Sequence, residues 1–295
     1  MAANKQRNVL HVLLFLLLPL STLAQQRDTL QINRKRFNTF IIGSATGYGL
    51  TMAGLYHLWY SDSKQQSFRF FNDNAEWKQV DKLGHFYSAF YFSYGTAAAL
   101  KWSNVPAQKA DLWGAVTGFL VLVPVEVFDG FSDAYGASTG DLVADAAGSA
   151  FFLGQQRLWN EVRIVPKFSF RRTGYAALRP EVLGDSRTSE ILKDYNGQTY
   201  WLSADMDKFI RFPRWLNLAA GYGAQGMVYA RDDQNAASGY DAYRQYYLSI
   251  DLDLTAIRTR SKVLKTLIFI ASTIKIPAPA VEFSRKGVAF HALQF

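Results

Sequence analysis

The chain contains no cysteine. This excludes disulfides, thiolate metal centres and a thiol nucleophile. Histidine is scarce as well, four in 295 residues, and no H-x-x-x-H pair occurs, so the pattern offers no metal site of the usual histidine type. We expect neither metal nor cofactor. Internal repeats, low-complexity tracts, a phosphate loop and a nucleophile elbow are absent too, and no named reaction can be read from a motif. The apolar run near the N-terminus is short as well. Val9–Leu20, apolar apart from His11, is well short of the roughly 20 residues a membrane span needs.

That short run sits where a secretory signal would place it. Lys5 and Arg7 precede it, and "STLAQQ" follows, with small residues at Thr22 and Ala24. We read 1–24 as a cleaved signal peptide and Gln25 as the start of the mature chain. Removing Lys5 and Arg7 takes the formal net charge from +8 to +6. For an exported protein, this favours anionic lipid headgroups or another envelope component as partner and argues against nucleic acid. No protein partner is indicated. The expected location is the periplasmic side of the cell envelope, at the outer rather than the inner membrane.

The remainder divides by pattern. Phe37 to about Trp159 is rich in Ala and Gly with helical periodicity, and short alternating runs follow from about Val162. The expected fold is α+β: a membrane-associated N-terminal bundle of about four helices over 25–160, then a β-rich antiparallel region over 161–295. Helices are expected at about Asn38–Trp59, Lys82–Lys101, Lys109–Phe128 and Gly140–Trp159. The first carries no charged residue from Asn38 to Ser61 and is long enough to span a bilayer. In the second half, "TYWLSADM", "LNLAAGYGAQGMVYA", "YYLSIDLDL" and "GVAFHALQF" read as strands. In the third of these, Tyr246, Leu248, Ile250, Leu252 and Leu254 face one way and Tyr247, Ser249, Asp251 and Asp253 the other. That alternation suits an outer-membrane barrel or a one-sided sheet on a core. Ser261–Ile274 reads as an interfacial or core helix with a basic start.

The chemistry is concentrated at three helix ends. "DKLGHF" supplies Asp81, Lys82 and His85. "EVFDGFSDAYG" supplies Glu126 and Asp129, and "STGDLVADAAG" supplies Ser138, Asp141 and Asp145. The i, i+4 spacing puts Asp81 with His85, and Asp141 with Asp145, on single helical faces. Antiparallel packing would gather them, and acids crowded with a lysine and a histidine shift one another's pKa values. A structural reading stands beside this one: Asp81 and the S-x-x-D pair Ser138/Asp141 are also helix caps. If the network is real, Asp81→Ala and Asp141→Ala should each be strongly destabilising or inactivating, and less than additive together.

The order Asp-Lys-x-x-His-Phe, Glu-x-x-Asp, then Gly-x-Ser-x-x-Asp-x-x-x-Asp-x-x-Gly, through Gly148, resembles the YfiM-like family of predicted periplasmic lipoproteins. It resembles the VanZ-like membrane proteins more remotely. The resemblance covers roughly Val80–Leu153 and implies a small helical envelope module of undetermined activity. Two departures stand out. No lipobox cysteine is present, so the family's lipid anchor is not inherited, and Asp145 puts a carboxylate where many relatives have Asn.

Two functional classes follow. The first is a membrane-associated binding or structural component whose polar cluster holds its helices together, and the sequence leans this way. The second is an envelope acid/base hydrolase acting on lipid-linked or cell-wall substrates, with Asp81, Lys82, His85, Glu126, Asp129, Asp141 and Asp145 as candidate catalytic residues. A reachable pocket at Asp81, His85 and Glu126 would favour the enzyme, and a filled, paired core the structural component.

Overall fold

The computed structural model describes residues 31–60 and 64–295. The expected signal segment 1–24 lies outside them. Residues 32–295 form one compact unit. Its helical part comprises α1 (Arg34–Tyr60), α2 (Val80–Trp102), α3 (Ala107–Leu120), α4 (Val123–Phe131) and α5 (Thr139–Trp159). Two-residue strands β1 (Phe70–Phe71) and β2 (Ala137–Ser138) pair in parallel beside the starts of α2 and α5.

The pattern predicts one helix over Lys109–Phe128, and the fold breaks it in two. Pro124 lies in the first turn of α4. It has no N–H for Leu120, and its ring crowds that carbonyl, so α3 stops there. Glu126 is turned toward the bundle as a result. The stretch Ala107–Phe131 is the one among the described residues long and apolar enough to cross a membrane. α1 does not reach that mark, because Gly, Ser, Thr and Tyr dilute its apolar residues.

Close approach of α2 to α5 rests on missing side chains. A Cβ at Gly148 would lie 2.2 Å from the backbone oxygen of Phe86, and one at Gly118 of α3 would lie 2.6 Å from that of Ala89. Phe90, Ala97, Ala115 and Phe152 fill the space between these helices. Gly148→Val should force α5 off α2. Overpacking typically costs about 1–3 kcal/mol, and a fall in thermal midpoint in detergent would register it; an unchanged midpoint would mean that the helices have room to part.

The second part is a six-stranded antiparallel meander: β3 (Ile164–Phe170), β4 (Gln198–Ala204), β5 (Leu216–Gln225), β6 (Tyr243–Leu252), β7 (Ala278–Ser284) and β8 (Gly287–Gln294). β3 and β7 were not expected from the pattern, since each carries a proline. Pro166 is tolerated because β3 is an edge strand. The sheet curls until the edge of β3 meets the chain entering β7, where the Phe168 N–H donates to the Thr273 carbonyl (3.0 Å) and the Lys275 N–H to the Phe168 carbonyl (2.8 Å). Short helices α6 (Pro180–Leu183), α7 (Arg187–Lys193), α8 (Asp232–Ala237) and α9 (Lys262–Ala271) fill the connections.

The two parts share an aromatic seam. Tyr87 of α2 packs on Phe168 and Tyr200, and the Tyr91 hydroxyl donates to the Pro166 carbonyl (2.7 Å). The lead-in to α2 is clamped from the sheet side, with Trp77, Lys78 and Gln79 all left-handed. The Trp77 N–H donates to the Ala230 carbonyl, the Tyr222 hydroxyl to the Lys78 carbonyl, and Arg244 to Gln79 Oε1. Three such residues in a row are costly. They fix the direction in which Asp81 and His85 leave the helix.

Candidate functional site

Ser138 organises one side of the site. Its hydroxyl accepts from the Asp141 N–H (3.1 Å) as the N-cap of α5, and it donates to Asp73 Oδ1 (2.5 Å). The Ser138 N–H donates to Glu126 Oε2 (2.7 Å), tying α4 to the same turn. Lys82 reaches across from α2, with its ammonium 2.7 Å from Asp73 Oδ2, 2.8 Å from Asp141 Oδ1 and 3.8 Å from Asp81 Oδ2. Asp81 accepts from the Tyr195 hydroxyl (2.7 Å). Tyr195 leaves the turn after α7, where the Asp194 carboxylate accepts from Thr173 and Asn196.

The other side centres on His85. Its Nδ1 is 3.0 Å from Asp145 Oδ1, which fixes the ring. Nε2 is 3.9 Å from both Glu126 Oε1 and Asp141 Oδ1, beyond direct hydrogen-bond range of either. Glu126 is 3% exposed and Asp145 0%, whereas the His85 side chain keeps 16% of its surface open. Asp129 lies along the pocket wall. Six of the seven residues singled out in the sequence thus meet around Lys82 and His85, and the seventh lines the same cavity.

The cluster holds more acids than cations, and the proton balance follows from that. Burial lowers the pKa of His85, but the Asp145 hydrogen bond and the charges of Asp81 and Asp141 outweigh it and push it up to about 10. Burial pushes Glu126 up to about 8, against the pull of His85. Asp141 is pushed up to about 7 by burial and the Asp81 charge, opposed by His85 and Lys82. Asp145 is raised by burial, with His85 opposing. For Asp73, burial is outweighed by hydrogen bonds from Lys82 and Ser138, and its pKa falls below the usual range. Near neutrality the imidazole is charged while Glu126 and Asp141 exchange protons readily.

A cavity of about 520 Å³ opens onto this cluster. Its lining is mixed: Asp73, Asp81, His85, Asp129 and Asp141 share it with Tyr87, Phe168, Leu55, Leu122, Ile191 and Tyr200. Glu126 stands behind His85 and does not line it. Ligand atoms of Asp81, His85 and Asp141 lie within 4.8 Å of one another, a set able to hold a small divalent cation. The Lys82 ammonium at Asp141 supplies positive charge at that place.

Residues 69–154 match the family described as predicted periplasmic lipoprotein (DUF2279). The matched segment begins at Arg69 and ends inside α5, so it takes in β1, Asp73 and every candidate residue. It supports an exported, periplasmic, envelope-associated protein of undetermined activity. No curated protein and no solved structure matched the chain.

Sequence reasoning missed Asp73, Trp77, Tyr195 and Tyr200. Asp73 had a local signal, an acid in the polar turn "FNDNAEW" just ahead of α2. The tyrosines had none, because they arrive from the β-rich part through long-range packing.

Proposed function

We propose that this protein is a cell-envelope enzyme performing acid/base hydrolysis on an amphipathic substrate, lipid-linked or derived from the cell wall. The observation that carries this reading is the open cavity at His85 and Asp141, where a purely architectural cluster would be packed shut. Its mixed polar and apolar lining suits a molecule with a charged or sugar-like head and an acyl or prenyl portion. Export through removal of 1–24 belongs to the same reading.

The proton inventory supports a closed cycle. Water attacks the electrophilic centre and gives a proton to Asp141, while the His85 imidazolium donates its Nε2 proton to the leaving oxygen. Proton return from Asp141 to Nε2, relayed by one water across the 3.9 Å gap, restores both groups. Asp145 keeps the imidazole aimed, and Lys82 offsets the negative charge that builds at the reacting centre. The opposing reading, a binding or structural component, draws on the Lys82–Asp73–Ser138–Asp141 half of the cluster, where each residue has an ionic or hydrogen-bonded partner.

The test uses protein purified in detergent, incubated with extracted envelope lipids and with cell-wall sacculi, and products followed by mass spectrometry. Wild type should release a hydrolysis product. His85→Gln should lower its rate by about 10²-fold or more, compared at equal folded protein, because loss of the imidazolium beside buried Asp145 also lowers the melting temperature. Absence of product with wild type, or equal rates for the variant, would favour the architectural role.

A further inference from the structure

The curled sheet is built inside out. Along β6, Gln245, Tyr247, Ser249 and Asp251 are buried, while Tyr246, Leu248, Ile250 and Leu252 are exposed. The register carries the same division to the neighbouring strands. Leu248 is flanked by Ala220 and Val281, and Val281 in turn by Phe290, which is 72% exposed. The inward face sets a buried cluster of Trp201, Ala219, Tyr247 and Ala280 among polar side chains that pair with one another. Asp251 accepts from Ser203 (2.7 Å) and takes Lys167 at 2.5 Å, and Glu282 meets both Gln245 and His291 at 2.8 Å. A water-soluble sheet hides its apolar face and solvates its polar one. This sheet does the reverse.

We infer that the outer face of β4–β8 is immersed in the hydrocarbon of a lipid bilayer. Inward polar and outward apolar side chains alternating along antiparallel strands are the pattern of membrane barrels, which favours the outer membrane. The central strands β5 and β6 have ten residues each, within the roughly 9–11 that a tilted strand needs to cross, while β4 and β7 have seven and β8 eight. Both rims carry what headgroups select. Arg211, Arg214 and Trp215 stand exposed at one end of the strands, next to Arg258 and Arg260 before α9, and Arg244 and Lys286 mark the other. α9 adds exposed Val263, Leu267 and Ile270 after its basic start. The acid/base residues lie on α2, α4 and α5, and these strands reach the cavity through Gln198 and Tyr200 of β4, away from the exposed face at Leu248 and Phe290, so this inference rests on observations separate from the enzymatic reading.

Because the chain has no cysteine, single reporters can be placed without background. Leu248→Cys and Phe290→Cys would each carry an environment-sensitive fluorophore, with Asp233→Cys on α8, whose side chain is 76% exposed, as the aqueous control. The full chain is reconstituted into vesicles of phosphatidylethanolamine and phosphatidylglycerol. Labels at Leu248 and Phe290 should be quenched several-fold more strongly by nitroxide on acyl chains than by aqueous iodide, and the label at Asp233 the reverse. Iodide quenching of all three would overturn the inference. Labels at Leu248 and Phe290 protected from both quenchers would also overturn it, assigning the face to a second protein surface.

Discussion

Lys82→Met should lower the unfolding free energy by about 3–5 kcal/mol, the usual loss when one member of a buried charged network is removed. The lysine side chain is 14% exposed and lies within 3 Å of two carboxylates on different elements, Asp73 ahead of α2 and Asp141 on α5. Without it, both acids face each other and Asp81 with no ammonium between them. Adding Asp141→Asn to Lys82→Met should recover part of the loss, because the second change removes one of the stranded charges. Asp81→Ala should cost only about 1 kcal/mol. Its one short contact is the Tyr195 hydroxyl, a single hydrogen bond on a partly exposed carboxylate. A double-mutant cycle by denaturant unfolding in detergent measures all three. Equal losses of about 1 kcal/mol for Lys82→Met and Asp81→Ala would mean a solvated lysine and independent polar contacts, Asp81 lying in the first turn of α2 behind the N-cap Gln79.

The contrast between Asp81 and Asp141 marks how far the sequence could be read. Period and spacing placed Asp81 with His85 and Asp141 with Asp145 on single helix faces, and S-x-x-D located the cap at Ser138 correctly. Local pattern could not rank the acids, because rank depends on where Lys82 points, and that is set by the clamped backbone at Trp77–Gln79. Pro124 was visible, yet its effect, turning Glu126 inward behind His85, appears only when α4 packs. In the second half the alternation of β6 was legible as two faces. Which face is buried was not: that is decided by the curl of the sheet and by ion pairs such as Lys167–Asp251 that join residues far apart in sequence. Tyr195 and Tyr200 entered the site unseen for the same reason.

The excess of carboxyls also makes a prediction about pH. Glu126 and Asp141 have folded pKa values of about 8 and about 7, against about 4.5 and 3.8 unperturbed. The folded state therefore holds protons that the unfolded chain has released. Stability from these groups is full below about pH 4 and is lost as pH rises through 7 and 8. His85, raised from 6.5 to about 10, adds stability that is complete below 6.5 and is lost toward 10. Asp73 works oppositely, since its lowered pKa contributes stability above about pH 4 that disappears in stronger acid. The sum is a protein most stable in mild acid, with stability falling from about pH 5 to pH 9 by roughly 1.4 kcal/mol per pH unit for each excess proton held. Glu126→Gln keeps the shape of the side chain but cannot ionise, so it should flatten the slope between pH 5 and 8 and make the variant relatively more stable at pH 8 than at pH 5. Denaturant unfolding across that range would show it. A wild-type stability that is flat or rises from pH 5 to 8 would mean that Glu126 is ionised throughout, held by a charged His85 as a simple ion pair, and that no proton is stored behind the imidazole.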